Sequence, residues 1–349
     1  MSFEIQIVMF TKKNLFIALA IIIFLGTFLR FYKLGNNSFV ADEFLDINST
    51  YAYAKTGIWQ NWDFNFGKVN NENIFEARDE RASVYKWFPA MFFKFLPPTE
   101  GVARSASALW GILSIILIYF AATYFTKKKT VGLLSAFLFA ISISGLEFDR
   151  RFRMYAMFLP VYLSFSWLLF SFLEKKYVGK INFLKNFSEK WGLNLLFLIP
   201  AVLVGVLSLL THQLTANIVF TVGTYLLFWA IMSFKKEKSY QNKYFILFFA
   251  GILGFVGLNI LAPKEVGSFT AGLSFFKDHW KYVGIVLADY SNGILGAIFA
   301  VLGVYYIYRK QNMQKEASWL LLSFLIPLLA AILLWDRNVG AQYIFFVKS

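Results

Sequence analysis

Asp42 and Glu43 are adjacent carboxylates in the stretch NNSFVADEFLD, residues 36–46, about ten residues past a long apolar run. A carboxylate at a water–lipid boundary loses hydration and gains basicity, which suits a general base taking a proton from a hydroxyl. The plainer reading is helix capping, with Asp42 as N-cap and both acids favourable in the first turn. The two readings are compatible, because a cap also fixes where a base points. A second charged set lies in EFDRRFRMY, residues 147–155, where Arg150, Arg151 and Arg153 share a short turn between two apolar runs. A guanidinium fork binds phosphate bidentately; the plainer reading is snorkelling to lipid headgroups. Together the two sets suggest a division of labour, with the cations holding an anionic lipid-linked donor and the carboxylates activating a neutral acceptor.

Other residue types offer less. The two histidines, His212 and His279, read first as hydrogen-bonded interfacial residues. There is no Cys, which excludes a disulfide framework and a thiolate metal site. Asp42 and Glu43 suit a hard cation, but neighbours in sequence rarely supply a full shell, so a divalent metal is not favoured and no metal site is expected. Trp59, Trp62 and Trp87 are aromatics of a type that stacks on sugar.

The elements that position these groups are membrane helices. The chain of 349 residues is 58% hydrophobic and 15% charged, against about 45–50% and about 25% for soluble domains. Runs near the ~20-residue length of a spanning helix fall at 14–34, 104–125, 131–148, 154–173, 191–211, 214–234, 243–262, 290–308 and 317–335. A tenth begins near 341 and stops at Ser349, too short to cross, so the expectation is one domain over 1–349 lacking C-terminal helices. The run from Leu15 to Leu29 has no small-residue cleavage site after it and reads as a retained first span.

The positive-inside rule orients these spans with a cytoplasmic N-terminus. The segments then inside hold 17 basic and 5 acidic residues, against 17 and 15 outside. The net charge of +14 is thus mostly an orientation signal, and nucleic acid is not needed as a partner. The acidic pair and the arginine turn both fall on the extracytoplasmic side of a plasma-membrane protein. The first outer loop, about 35–103, carries two amphipathic stretches. Phe44, Ile47, Tyr51 and Ala54 share one helical face; Val84, Trp87, Phe88, Met91, Phe92 and Phe95 share another, with Pro89 expected to kink that helix. Such helices lie in the interface plane. The fold class expected is an all-α polytopic membrane protein.

FLRFYKLGNNSFVADE, residues 28–43, resembles the opening of GT-C membrane glycosyltransferases, in particular the family 39-like branch of protein O-mannosyltransferases and lipid A aminoarabinose transferases. The resemblance rests on Arg30 at a helix end, Leu34-Gly35, then Asp42-Glu43. It continues through RASVYKWFPAMFFKF (81–95), ARSASALWGILSIILIYFAATYF (103–125), DRRFRMYAMF (149–158) and Thr211-His212. It is dense over about 28–160 and thin afterwards.

The resemblance implies a GT-C helix bundle and transfer of a sugar from a polyprenyl-phosphate donor to an acceptor hydroxyl on a protein, lipid or polysaccharide, with inversion. It implies Asp42 as base with Glu43 its partner, and Arg150 and Arg153 on the donor phosphate. Arg151 is extra to the family pattern. Tyr85, Tyr155, His212 and Arg30 are further candidates to line the site. Many members carry His-Pro-Pro where this chain has Arg81-Ala82-Ser83, which offers Arg81 to the donor phosphate. A late Arg-Tyr appears as Gln342-Tyr343, with Arg337 nearby. The rival readings are a transporter or flippase and a non-catalytic binder of lipid-linked glycans. A transporter would place charge near mid-membrane, whereas here charge gathers at the span ends.

Overall fold

The computed structural model describes residues 12–69, 79–270, 272–288, 293–309, 311–336 and 339–348. Arg337 lies outside them. Among the described residues, six helices are long and apolar enough to cross a membrane, or up to eight when two bent pairs each count as one span. The protein is an all-α, multi-pass membrane protein.

The first helix, α1 (Lys12–Phe31), buries only Ile22, Gly26 and Arg30 and presents Phe16, Ile21 and Phe24 outward. Residues 35–99 carry α2 (Ala41–Thr56), a two-stranded hairpin pairing Trp62 with Val69, and α3 (Ser83–Phe93). The chain then enters α4 (Glu100–Thr126), whose N-cap Thr99 accepts from the Val102 amide. The run expected as one span over 131–148 is two helices, α5 (Lys129–Ala140) and α6 (Ile143–Asp149), bent by 62°. Ser142 caps the second through the Gly145 amide and so restarts the helix in a new direction.

Next come α7 (Tyr155–Glu174), α8 (Asn182–Trp191), α9 (Leu198–Thr211), α10 (Asn217–Glu237) and α11 (Lys243–Leu261). Two short helices, α12 (Pro263–Thr270) and α13 (Lys281–Ala288), precede α14 (Gly293–Arg309) and α15 (Gln314–Leu333). The expected span at 290–308 is the 17-residue α14. The apolar residues after 341 are those expected to start a tenth span. They form 3-10 turns at Ala341–Tyr343 and Phe345–Lys348, with Phe345 and Phe346 packed on Phe148, Tyr155, Phe158 and Tyr162.

The bundle is organised around α7, which packs on α4 and α9. At the far end of α7 from Tyr155, the half-buried Glu174 accepts hydrogen bonds from Tyr225 (3.1 Å), Tyr244 (3.0 Å) and Lys315 (2.5 Å). One carboxylate thereby ties α7 to α10, α11 and α15. A 20-residue helix is about 30 Å long, so this hub and the charges of residues 42–46 lie at opposite ends of the bundle.

The buried faces of the two loop helices coincide only in part with their apolar stripes. In α2 the buried residues include Glu43, Asp46, Ile47 and Thr50, while Phe44 and Leu45 are exposed. The spacing 43, 46, 47, 50 is a helical face, and it is polar because cations of neighbouring elements wait behind it. Phe44 and Tyr51 instead meet Phe64 of the hairpin. In α3 the buried set is Tyr85, Lys86, Pro89, Ala90 and Phe93, whereas Trp87, Met91 and Phe95 face outward. That outward stripe is what a helix at a lipid interface needs.

Candidate active site

The acidic pair divides. The helix begins at Ala41 with Val40 in the N-cap position, so Asp42 is not the cap. Glu43 reaches back to the Val40 amide at 3.0 Å and takes over that duty. Glu43 is 1% exposed, and its carboxylate also accepts from Arg104 Nε (2.9 Å), Arg104 Nη2 (2.7 Å) and the Phe152 amide (2.6 Å). Burial pushes this acid up, but Arg104 and the Phe152 and Val40 amides outweigh it and leave the pKa below the ordinary value. Glu43 is a strut joining α2, α4 and the turn after α6. Asp42, one residue earlier and about 100° around the helix, has a side chain 70% exposed, 3.5 Å from Arg153 Nη2.

Asp42 lines a cavity of about 420 Å³ together with Arg81, Arg153, Tyr155, His212 and Tyr343. Arg153 is buried and held by Asp46, whose Oδ2 lies 2.7 Å from its Nη1, and by the Asp42 carbonyl at 3.0 Å. Its Nε has no hydrogen-bond partner among the described residues. The other oxygen of Asp46 meets Arg81 Nη2 at 3.2 Å. Behind Asp46 a second tier closes the network: the fully buried Lys86 donates to Ser49 (3.0 Å) and to the Asp79 carboxylate (3.0 Å). Burial raises Asp46, and Arg153, Lys86 and Arg81 only partly oppose it. Burial lowers Lys86, with Asp79 pulling the other way. Ala82, beside Arg81, takes a left-handed backbone with φ 51°, costly for a residue with a Cβ.

The far wall comes from the bend after α9. His212 accepts the Leu214 amide at Nδ1 (3.0 Å) and lies against Tyr155 and Phe158. Gln213 and Gln342 add neutral amides to the lining. The cavity therefore combines an open carboxylate, two arginines fixed by one buried aspartate, and neutral hydrogen-bonding groups.

The remaining expected residues lie elsewhere. Arg30 is fully buried, bound to Asp149 through Nε (2.8 Å) and to the Gly26 and Ala140 carbonyls. It fastens α1 to the α5–α6 bend and does not line the cavity. Gly111 makes room for this pair: a Cβ there would clash with the Asp149 carboxylate and stand 2.7 Å from Arg30 Nε. Arg150 donates to the carbonyls of Leu29 (2.6 Å) and Tyr32 (2.9 Å), and Arg151 pairs with Glu147 (2.6 Å). Both line a different cavity from Arg153. Tyr85 is buried with its hydroxyl on Ser107 (2.7 Å). Trp59 stacks on Tyr53 and Trp62 meets Tyr51 edge-on, both away from the cavity.

Sequence reasoning assigned no role to Asp46, Asp79, Lys86, Arg104 or Asp149. The signal was present for Arg104, an ionisable residue at the start of an otherwise apolar run, whereas Asp149 stands in the charged turn beside the arginines and drew no separate reading. Among the described residues, no three His, Cys, Asp or Glu side chains cluster as metal ligands.

A model of the dolichyl-phosphate-mannose-protein mannosyltransferase family matches residues 80–184, roughly a third of the chain. No curated protein and no solved structure matches it. The match takes in Arg81, Arg104, the arginine turn and α7, so the chain is similar, over the segment that supplies most of these cations, to membrane glycosyltransferases of the GT-C type.

Proposed function

We propose that the protein transfers a sugar from a polyprenyl-phosphate donor to an acceptor hydroxyl at the extracytoplasmic face, with inversion at the anomeric carbon. The observation that carries this reading is an exposed carboxylate, Asp42, 3.5 Å from the buried Arg153 on one cavity wall. Asp42 takes the proton of the acceptor hydroxyl. The acceptor oxygen bonds to the anomeric carbon as the bond from that carbon to the phosphate oxygen breaks. The leaving polyprenyl phosphate gains one negative charge, and Arg153 and Arg81 are placed to stabilise it. Fixed by Asp46, they need little reorganisation as that charge develops. Glu43 supports the geometry and takes no proton. The neutral amides and hydroxyls of Gln213, Gln342 and Tyr343 suit the sugar.

The test is release of polyprenyl phosphate from a panel of polyprenyl-phosphate sugars, with envelope extract as acceptor. The wild type releases it with one sugar, and Asp42→Asn is slower by about 10²–10⁴-fold, the range of general base catalysis. Equal rates in the two proteins would overturn the reading, as would donor binding without release by either.

A further inference from the structure

The second cavity lies on the other side of Glu43. It is an open cleft with a volume of about 510 Å³, bordered by the loop after α1, by α6 and by the arginine turn. Its inner wall is the Glu43–Arg104 pair, so adjacent residues of α2 serve two cavities, Asp42 the first and Glu43 the second. Its charged lining is Lys33, Arg104, Arg150 and Arg151 against Glu43 and Glu147. Glu43 is matched by Arg104 and Glu147 by Arg151. Lys33 and Arg150 are left with no carboxylate partner among the described residues: Arg150 bonds only carbonyls, and Lys33 lies 5.3 Å from the Tyr32 ring. The cavity is therefore cationic and asks for an anion.

Its surroundings say where that anion comes from. Val40 and Ile143, both exposed, add apolar groups to the lining. Beside it, α1 ends in the exposed Phe28 and Phe31, followed by the exposed Tyr32, continuous with the outward face of Phe16, Ile21 and Phe24. A freely dissolved anion has no use for this apolar track, whereas a lipid needs both a cationic seat for its phosphate and an apolar path for its chains. We infer that this cavity seats the phosphodiester headgroup of an anionic glycerophospholipid, with its acyl chains along α1. The site is separate from the sugar-transfer cavity. A seated lipid braces the loop whose Leu34, Asn37 and Ser38 carbonyls hang on Arg104, and so holds the start of α2, where Asp42 sits.

The experiment measures lipid retained by the purified full chain after exchange into detergent carrying phosphatidylglycerol or phosphatidylcholine. Phosphatidylglycerol is retained near one per chain, and Lys33→Gln with Arg150→Gln, the two cations without a carboxylate partner among the described residues, weakens it roughly tenfold or more, with the exposed Lys33→Gln alone weakening it in the same direction. Lys68→Gln, on the hairpin, leaves retention unchanged. Equal retention of the two lipids, or an unchanged double variant, overturns the inference. So does full displacement by inorganic phosphate, which marks a soluble-anion site, or by polyprenyl phosphate at equal concentration, which assigns the cavity to the sugar donor. Because the readout is binding, its failure leaves the sugar-transfer reading intact, and the converse holds too.

Discussion

Replacing Glu43 with Gln separates a strut from a catalytic group. The carboxylate accepts four hydrogen bonds, two per oxygen: Arg104 Nε and the Phe152 amide on Oε1, the Val40 amide and Arg104 Nη2 on Oε2. Gln keeps one oxygen and turns the other into a donor, so two of these donors lose their acceptor and face an NH₂ group. Breaking a buried ion pair costs about 3–5 kcal/mol. Arg104 still donates to the Leu34, Asn37 and Ser38 carbonyls, which favours the lower end, about 3 kcal/mol. At roughly 2–4 °C per kcal/mol for large domains, the midpoint falls by about 6–12 °C.

The assay heats the detergent-purified full chain and follows loss of the monodisperse peak. The pH dependence supplies a second check. Because the folded pKa of Glu43 lies below the ordinary 4.5, its stabilisation is complete above that value and is lost as pH falls through the lower folded value. The gap between wild type and variant is therefore constant from pH 7 to 5 and closes in acid. A Glu43→Gln protein that melts with the wild type but transfers no sugar would refute the strut and make Glu43 a chemical participant.

Other outcomes follow from the same geometry. Asp42→Asn melts with the wild type, since its side chain is exposed, and a large loss of thermal stability would contradict the placement. Asp46→Asn frees Arg153 and Arg81 from their shared carboxylate; the expected result is at least about a tenfold loss of transfer efficiency, seen as a change in donor KM or kcat, with a stability loss of about 3–5 kcal/mol because the Asp46–Arg153 pair is buried. Gly111→Ala pushes a methyl into the Arg30–Asp149 pair and lowers stability by about 1–3 kcal/mol or more, read in the same melting assay. Arg151→Gln breaks only an exposed pair and changes stability by at most about 1 kcal/mol, so a large shift would mean the arginine is buried in a contact absent from this structure.

Much of the architecture is legible in composition and spacing. Apolar runs of membrane length announce a helical bundle because lipid leaves the backbone no other partner. Charges excluded from those runs collect at their ends, which drew attention to Asp42, Glu43 and the arginine turn before any contact was known. The stripe of Trp87, Met91 and Phe95 was readable as an interfacial face, although whether α3 turned it inward or outward was not.

What tertiary structure decided is which charge meets which. Glu43 and Arg104 are 61 residues apart, Arg30 and Asp149 are 119 apart, and Asp46 and Arg153 are 107 apart. Each pair forms only when separate helices are brought together, and local spacing carries no record of that. Two adjacent carboxylates look equivalent in sequence, yet successive residues of a helix differ by about 100° in direction. Packing α2 against α4 and the arginine turn therefore sends Glu43 into a buried lattice of donors and leaves Asp42 facing the cavity.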